Sequence, residues 1–224
     1  MAQLSIIVPV LNEAEALDHL LLKICEQGEV IVVDGGSRDQ SLAVARNFPV
    51  KVLQSPAGRA LQMNRGASLA SGETLFFLHA DSHLPENFSQ AILQARQQGY
   101  QAGCFRLKFD WPHWFLRSNA WFTRFNLSAV RFGDQGLFVS RELFKKVEGY
   151  REEMSLLEDQ DIVIRLKRFS PFRVLPQAIT TSARKYRQYG PFYLQWVYFQ
   201  TWRRWKKGLE PAELLKYYRK KLEK

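Results

Sequence analysis

Cysteine is nearly absent from this chain: Cys25 and Cys104 are the only two in 224 residues. They lie far apart and neither has a C-x-x-C neighbour. That excludes a disulfide framework and a zinc knuckle, and leaves two small buried hydrophobes as the expectation. Long apolar runs are also missing. The composition is 46% hydrophobic and 24% charged, ordinary for a globular protein, but no run approaches the roughly 20 apolar residues of a spanning helix. The first residues, MAQLSIIVPVLNE, lack a basic n-region and reach Asn12 and Glu13 before an apolar leader is complete, so they read as a first strand of a cytoplasmic protein. There is no G-x-G-x-x-G fingerprint, which leaves a dinucleotide fold poorly supported. Internal repeats and low-complexity linkers are absent too. Acidic residues are scarce at one end: residues 184–224 hold twelve Lys and Arg against three Glu, which places +9 of the net +10 there. The chain therefore divides into a nearly neutral domain, residues 1–183, and a basic tail, residues 184–224, that needs a partner of its own.

What is present is an alternation of β-branched runs with amphipathic segments. LSIIVPV and EVIVVD are separated by a segment in which Leu17, Leu20, Leu21 and Ile24 recur at helical spacing. Helical segments near 39–47 and 59–70 lead to the strands VKVLQS and TLFFLHA. Helices near 86–98, 141–147 and 159–168 and the strands GCFRLKF, QGLFVS and FRVLP follow. Nearly continuous apolar strands joined by helices imply an α/β fold with a mainly parallel sheet covered on both faces. Ligands of such sheets bind beyond the carboxyl ends of the strands. Here those ends read Asn12-Glu13, Asp34-Gly35-Gly36-Ser37 and His79-Ala80-Asp81.

Four stretches could carry chemistry. In DGGSRDQS the glycines permit close backbone approach at the start of a helix, and Asp34 suits either a nucleobase or ribose contact or a turn cap. In HADSH, residues His79, Asp81 and His83 would share one face of an extended run; Pro85 ends that run near His83, which reads as a loop residue. A carboxylate with one imidazole suits a divalent ion: three such protein ligands would suit zinc, whereas magnesium or manganese would be completed by waters and substrate phosphates. In SLLEDQDIVIRLKR, Glu158, Asp159 and Asp161 crowd a first helical turn. The helix dipole accounts for one or two of them, and their mutual repulsion could raise a general base toward working pH. In GRALQMNRGASLASGE, Arg59, Asn64 and Arg65 stand where a basic side chain could meet a diphosphate.

In this order, Pro9-Val10-Leu11-Asn12-Glu13, Val33-Asp34-Gly35-Gly36-Ser37-Arg38-Asp39, Asn64-Arg65-Gly66, Leu78-His79-Ala80-Asp81 and Glu158-Asp159-Gln160-Asp161 resemble the motifs of family 2 glycosyltransferases, which share the nucleotide-diphospho-sugar-binding GT-A fold. The resemblance spans about residues 4–182. The variants FLHADSHLP and FGDQGLFVS further resemble a compact bacterial branch for which lipid or isoprenoid acceptors have been suggested. Two positions depart from the family: His79 replaces the first Asp of its D-x-D, and Gly35 the second Asp of its D-D-G-S.

The resemblance implies transfer of a sugar from a nucleoside diphosphate, UDP by preference, with inversion. It makes Asp159 the base, with Glu158 second. Asp81, with His79 as metal ligand or ribose contact, would hold Mn2+ or Mg2+. Pro9, Asn12, Glu13, Asp34, Gly36, Arg59, Asn64, His79, Ala80 and Asp81 would line the sugar-nucleotide site. Asp134, Gln135, Asp161, Arg184 and Lys185 are acceptor or phosphate candidates.

In the tail, Phe192, Trp196, Phe199 and Trp202 follow helical spacing among Arg and Lys, and Trp114, Phe115, Trp121, Phe122 and Phe125 form a second aromatic stripe. Aromatics with snorkelling cations suit an anionic membrane, so peripheral association at the inner face of the cell membrane is expected; the competing reading packs the stripes on each other or on the sheet. Rival functions are an inactive scaffold of the same fold, a metal hydrolase built on His79, Asp81 and His83, and nucleic-acid binding by the tail. No helix-turn-helix, RRM or zinc-finger pattern accompanies that tail, so nucleic acid is not an expected partner.

Overall fold

The computed structural model describes residues 3–127 and 133–222. Seven strands form one sheet in the order β3-β2-β1-β4-β6-β5-β7. They are β1 (Leu4–Val10), β2 (Glu29–Asp34), β3 (Lys51–Gln54), β4 (Thr74–Phe77), β5 (Ala102–Phe109), β6 (Leu137–Ser140) and β7 (Phe172–Thr181). Strands β1 to β4 are parallel, and β6 runs antiparallel to both β4 and β5. Since β5 and β7 pair in parallel, they point the same way as β1. The carboxyl ends of six strands therefore lie along one edge.

Alternate residues of the inner strands face opposite layers. Ile6, Val8 and Val10 pack with the buried Leu17, Leu20, Leu21 and Ile24 of α1 (Ala14–Ile24) and with Phe88 and Ile92 of α4 (Phe88–Gln97). Ile7, Ile31 and Val33 pack with Ala60 and Met63 of α3 (Arg59–Leu69), Leu143 and Phe144 of α6 (Arg141–Lys146), and Ile162, Val163 and Leu166 of α7 (Glu158–Leu166). Gly66 lets α3 press on the sheet, because a Cβ there would come within 2.4 Å of Ile7. The helix α2 (Ser41–Arg46) covers β2 and β3.

Two expectations change. FRVLP extends into the ten residues of β7, passing through Pro176; a register shift opposite Cys104 and Arg106, on an edge strand, accommodates the missing N–H. Cys104 is buried, but Cys25 is only half-buried, at the carboxyl end of α1.

Beyond β5 lies α5 (Trp114–Phe122), and beyond β7 lie α8 (Arg184–Tyr189), α9 (Pro191–Lys206) and α10 (Pro211–Leu222). The last three enclose a small third cluster around Leu194, Val197 and Leu222, flanked by Tyr186, Tyr198 and Tyr218. No helix among the described residues is long and apolar enough to cross a membrane.

Candidate active site

The loops after β1 and β2 are sewn together through side chains. Asn12 sits in the left-handed region at φ 56. Its N–H donates to Ser37 Oγ at 2.9 Å, and its Oδ1 accepts from the Arg38 N–H at 2.8 Å. The N–H of Glu13 donates to Ser41 Oγ at 2.9 Å. Asp34 is 1% exposed, and its Oδ2 accepts from the N–H groups of Gly36 and Ser37 at 3.0 and 3.1 Å. In this structure it is a turn cap. Beneath it, Gln62 of α3 donates to the terminal carbonyls Val10 O and Val33 O at 3.0 and 2.7 Å. A Cβ at Gly35 would lie 3.0 Å from that amide. The glycine in place of an acidic residue therefore fits a space that Gln62 already fills.

After β4 the chain does not stay extended. The Ser82 N–H donates to His79 O at 3.2 Å, closing a turn over Ala80 and Asp81, while His83 bridges to Thr180 of β7. The expected common face of His79, Asp81 and His83 is thereby broken, and His83 leaves the site. His79 instead meets Asp134, Nδ1 to Oδ1 at 3.0 Å, in a 3-10 turn at Gly133–Gln135. Gln135 is 1% exposed and donates to Phe105 O at 3.1 Å, which fixes that turn to β5. Arg59, the first residue of α3, reaches Glu158 at 3.2 Å and Asp159 at 4.0 Å in the first turn of α7. Leu157, at φ 64, turns the chain into that helix. A Cβ at Gly133 would fall 2.2 Å from Asp159 Oδ2 and 2.9 Å from His79 Cε1, so glycine is what allows the three groups to converge.

Burial pushes the Asp159 carboxyl up to about 7, aided by the Glu158 charge and opposed by His79 and Arg59. Burial and Arg59 would lower the His79 imidazole, but the hydrogen bond and charge of Asp134, with Asp159, outweigh them and raise it. Burial raises Asp134, yet the His79 hydrogen bond, the His79 charge, Arg59 and Lys185 hold it below the usual carboxylate range. Burial opposes the charge of Arg59, and the surrounding carboxylates, Glu158 first, secure it. Arg59 and Asp134 keep 50% and 41% of their side-chain surface accessible, so this charged floor lies in an open mouth among dense protein. A proton acceptor near neutrality beside a ring of opposed charges at the sheet edge can take a proton from a hydroxyl and offset developing negative charge.

Comparison with known proteins agrees. The model of "Glycosyl transferase family 2" matches residues 5–172. The chain belongs to glycosyltransferase family 2. A "PGL/p-HBAD biosynthesis glycosyltransferase" of Mycobacterium bovis is 30% identical over 178 residues, covering 72% of this chain and 68% of the relative. An "Uncharacterized glycosyltransferase" of Haemophilus influenzae is 27% identical over 191 residues, covering 76% and 65%. Among solved structures, mannosyltransferase PcManGT from Pyrobaculum calidifontis in complex with GDP-Man and Mn2+ superposes with a TM-score of 0.67 at 18% identity. The match covers 80% of this chain and 56% of that one, so this family 2 glycosyltransferase spans little more than half its length. S. aureus TarS 1-349 in complex with UDP-GlcNAc gives 0.65 at 17% identity, covering 80% and 58%. These likenesses establish the GT-A fold.

In this family 2 glycosyltransferase, no three His, Cys, Asp or Glu side chains converge on a metal position among the described residues. The donors that remain are the carboxylate of the half-exposed Asp81, which makes no hydrogen bond or ion pair within the described chain, and Nε2 of His79. One hard oxygen at the mouth fits a divalent ion whose other ligands are phosphate oxygens and water. The structure gives other candidates different work. Asn64 spends its amide on the backbone of Tyr150, accepting at 2.9 Å and donating at 2.8 Å. Asp161 pairs with Arg165 at 2.7 Å and Arg151 at 3.4 Å, bracing α7 rather than facing the mouth. Arg184 reaches Glu13 at 3.1 Å, which brings the start of the tail to the rim, and Lys185 is close enough to act on Asp134. Pro9 is the half-buried residue next to the end of β1, and Ala80 is buried beside His79. The sequence singled out Asp134 without its partner. The His79–Asp134 pair and the Gln62 bridge escaped because they join segments far apart in the chain.

Proposed function

We propose that this protein transfers a sugar from a UDP-sugar to a hydroxyl of a lipid-linked or isoprenoid-like acceptor, with inversion. The observation that carries this reading is the half-buried Asp159, with its raised pKa, set beside Arg59 and His79 at the carboxyl edge of a GT-A sheet. In the deprotonated form, Asp159 takes the acceptor proton as the acceptor oxygen forms its bond to the anomeric carbon. The bond from that carbon to the β-phosphate oxygen breaks on the opposite face, and its electron pair leaves with the nucleoside diphosphate. Arg59 is charged at all working pH and offsets the negative charge that develops there. Asp81, with His79, would hold the divalent ion, Mn2+ or Mg2+, whose role is to neutralise the diphosphate. Asp34, Asn12, Glu13 and Gly36 frame the nucleoside pocket, with Arg184 and Lys185 closing over the phosphates. The basic tail keeps the enzyme at the cytoplasmic face of an anionic membrane, where its acceptor resides.

The test is calorimetric titration of nucleoside diphosphates and their sugars, with and without manganese, into the wild type and Asp81→Ala. Metal-dependent binding of UDP that fails in the variant is expected. No binding of any nucleotide in the presence of metal would overturn the reading and favour an inactive scaffold.

A further inference from the structure

We infer that α5 and α9 together form one membrane-docking ridge that opens on the same edge of the sheet as the reaction mouth, and that its occupant is an anionic lipid bilayer. The two aromatic stripes lie far apart in sequence, yet the helices meet near their amino-terminal turns: Phe115 meets Phe192 at 4.7 Å, and one turn further on Asn119 donates to Gln195 at 3.1 Å. This contact consumes the inner face of each stripe and leaves the outer rings in solvent. Trp114, Phe192, Phe199 and Trp121 are 67%, 56%, 50% and 47% exposed. Trp114 and Phe192 are 5.9 Å apart across the two helices, so the exposed rings of one helix meet those of the other at that end. Contiguous apolar area of this kind marks an interaction surface.

Charge selects the partner. Neither α5 nor α9 contains an Asp or Glu. Cations lie over the rings: Arg124 over Trp121 at 4.6 Å, Arg203 over Phe199 at 5.8 Å, and Lys221 of α10 over Trp196 at 5.6 Å. Rings flanked by snorkelled cations match the acyl boundary and the anionic headgroups of a bilayer together. The topology gives the orientation. Helix α5 leaves the carboxyl end of β5 and α8 leaves that of β7, the edge at which Asp34 ends β2 and His79 follows β4. Asp110 at the end of β5 is held by Arg187 at 3.2 Å, and Arg187 also covers Trp111, while Arg184 of the same short helix reaches Glu13 at the mouth. An acceptor could thus present its hydroxyl at Asp159 while its tail stays in the bilayer. That consequence rests on the proposed function; the ridge itself does not.

Flotation with vesicles of phosphatidylglycerol and of phosphatidylcholine tests it, comparing the wild type with the triple variant Trp114→Ser, Phe192→Ser, Phe199→Ser, each checked for native circular dichroism. The expected result is wild-type flotation with phosphatidylglycerol at low salt, weak flotation with phosphatidylcholine, and at least a tenfold lower partition coefficient for the variant. Quenching of wild-type tryptophan fluorescence by brominated acyl chains is expected alongside. Wild-type indifference to phosphatidylglycerol, equal flotation of the variant, or a wild-type dimer that the variant dissolves would each overturn the proposal. UDP binding with manganese, measured in the same preparations, reports on the donor site separately: its absence would sink the UDP-sugar reading and leave the ridge result standing.

Discussion

Asp159 carries two opposed demands. Its carboxyl lies at about 7 against an ordinary 3.8, so the folded state binds this proton more tightly than the unfolded chain does. Stability from this group is complete below 3.8 and is lost as pH rises through about 7, which is where the deprotonated form, the base of the proposed reaction, appears. Asp159→Asn should therefore lower kcat by about 10²–10⁴-fold while making the protein more stable at pH 8, by on the order of 2 kcal/mol. That gain should shrink toward pH 4 in paired thermal melts. The wild-type kcat/KM should climb with pH through a midpoint near 7; a flat profile from pH 5 to 9 would remove Asp159 as the base. Gly133 offers a second residue-scale test, because its missing Cβ leaves the room that the Asp159 carboxylate occupies. Displacements near 1 Å at a reacting group cost about 10²-fold. Gly133→Ala should lower kcat by that order and leave UDP affinity nearly unchanged, measured by initial rates beside calorimetry.

At the scale of elements, the sheet's amino edge is held by one carboxylate. Glu29 at the start of β2 accepts from Lys51 of β3 at 2.6 Å, from the Ser5 hydroxyl of β1, and from the Ser71 N–H at 2.6 Å. Burial would raise it, but these donors, Lys51 first, bring it down to about 2. The sign is opposite to that of Asp159: its stability is present above 4.5 and is lost as pH falls through about 2. Glu29→Gln should cost about 2 kcal/mol at pH 7, lowering Tm by about 4–8 °C, and urea titrations should show the difference closing by pH 2. The strands and helices that this edge joins were legible in sequence because Leu17, Leu20, Leu21 and Ile24 repeat at 3.6, and LSIIVPV is apolar on both faces. The antiparallel placement of β6 and the passage of β7 through Pro176 were not, since both depend on pairing partners in distant segments. The site divides in the same way. Local motifs pointed to Asp159, Asp81 and Arg59, whereas the turn at Ala80–Asp81 and the His79–Asp134 pair arise only when the 3-10 turn folds against β4.

For the molecule as a whole, the question is whether the tail is an appendage or part of the enzyme. Its helices have their own cluster around Leu194, Val197 and Leu222, which argues for a separable unit. Its first turns argue the reverse. Tyr186 packs on Phe109 at 5.3 Å, the Ala183 N–H donates to Asp110 at 2.8 Å, and Phe192 covers Phe115. Arg184 and Lys185 also add two positive charges beside Glu13 and Asp134, where a diphosphate would bring negative ones. A chain cut after residue 183 should keep the circular dichroism of the sheet, because both large core clusters lie before the cut. It should melt several degrees lower once Phe109 and Phe115 lose their cover, and bind UDP about tenfold more weakly in the presence of manganese, each exposed charge at an anion site contributing a fraction of a kcal/mol to about 1. Calorimetry and thermal melts on the two lengths decide the matter. Equal melting and equal affinity would make the tail a separable unit with no part in the donor site, whereas loss of the sheet signal would move the domain boundary past α9.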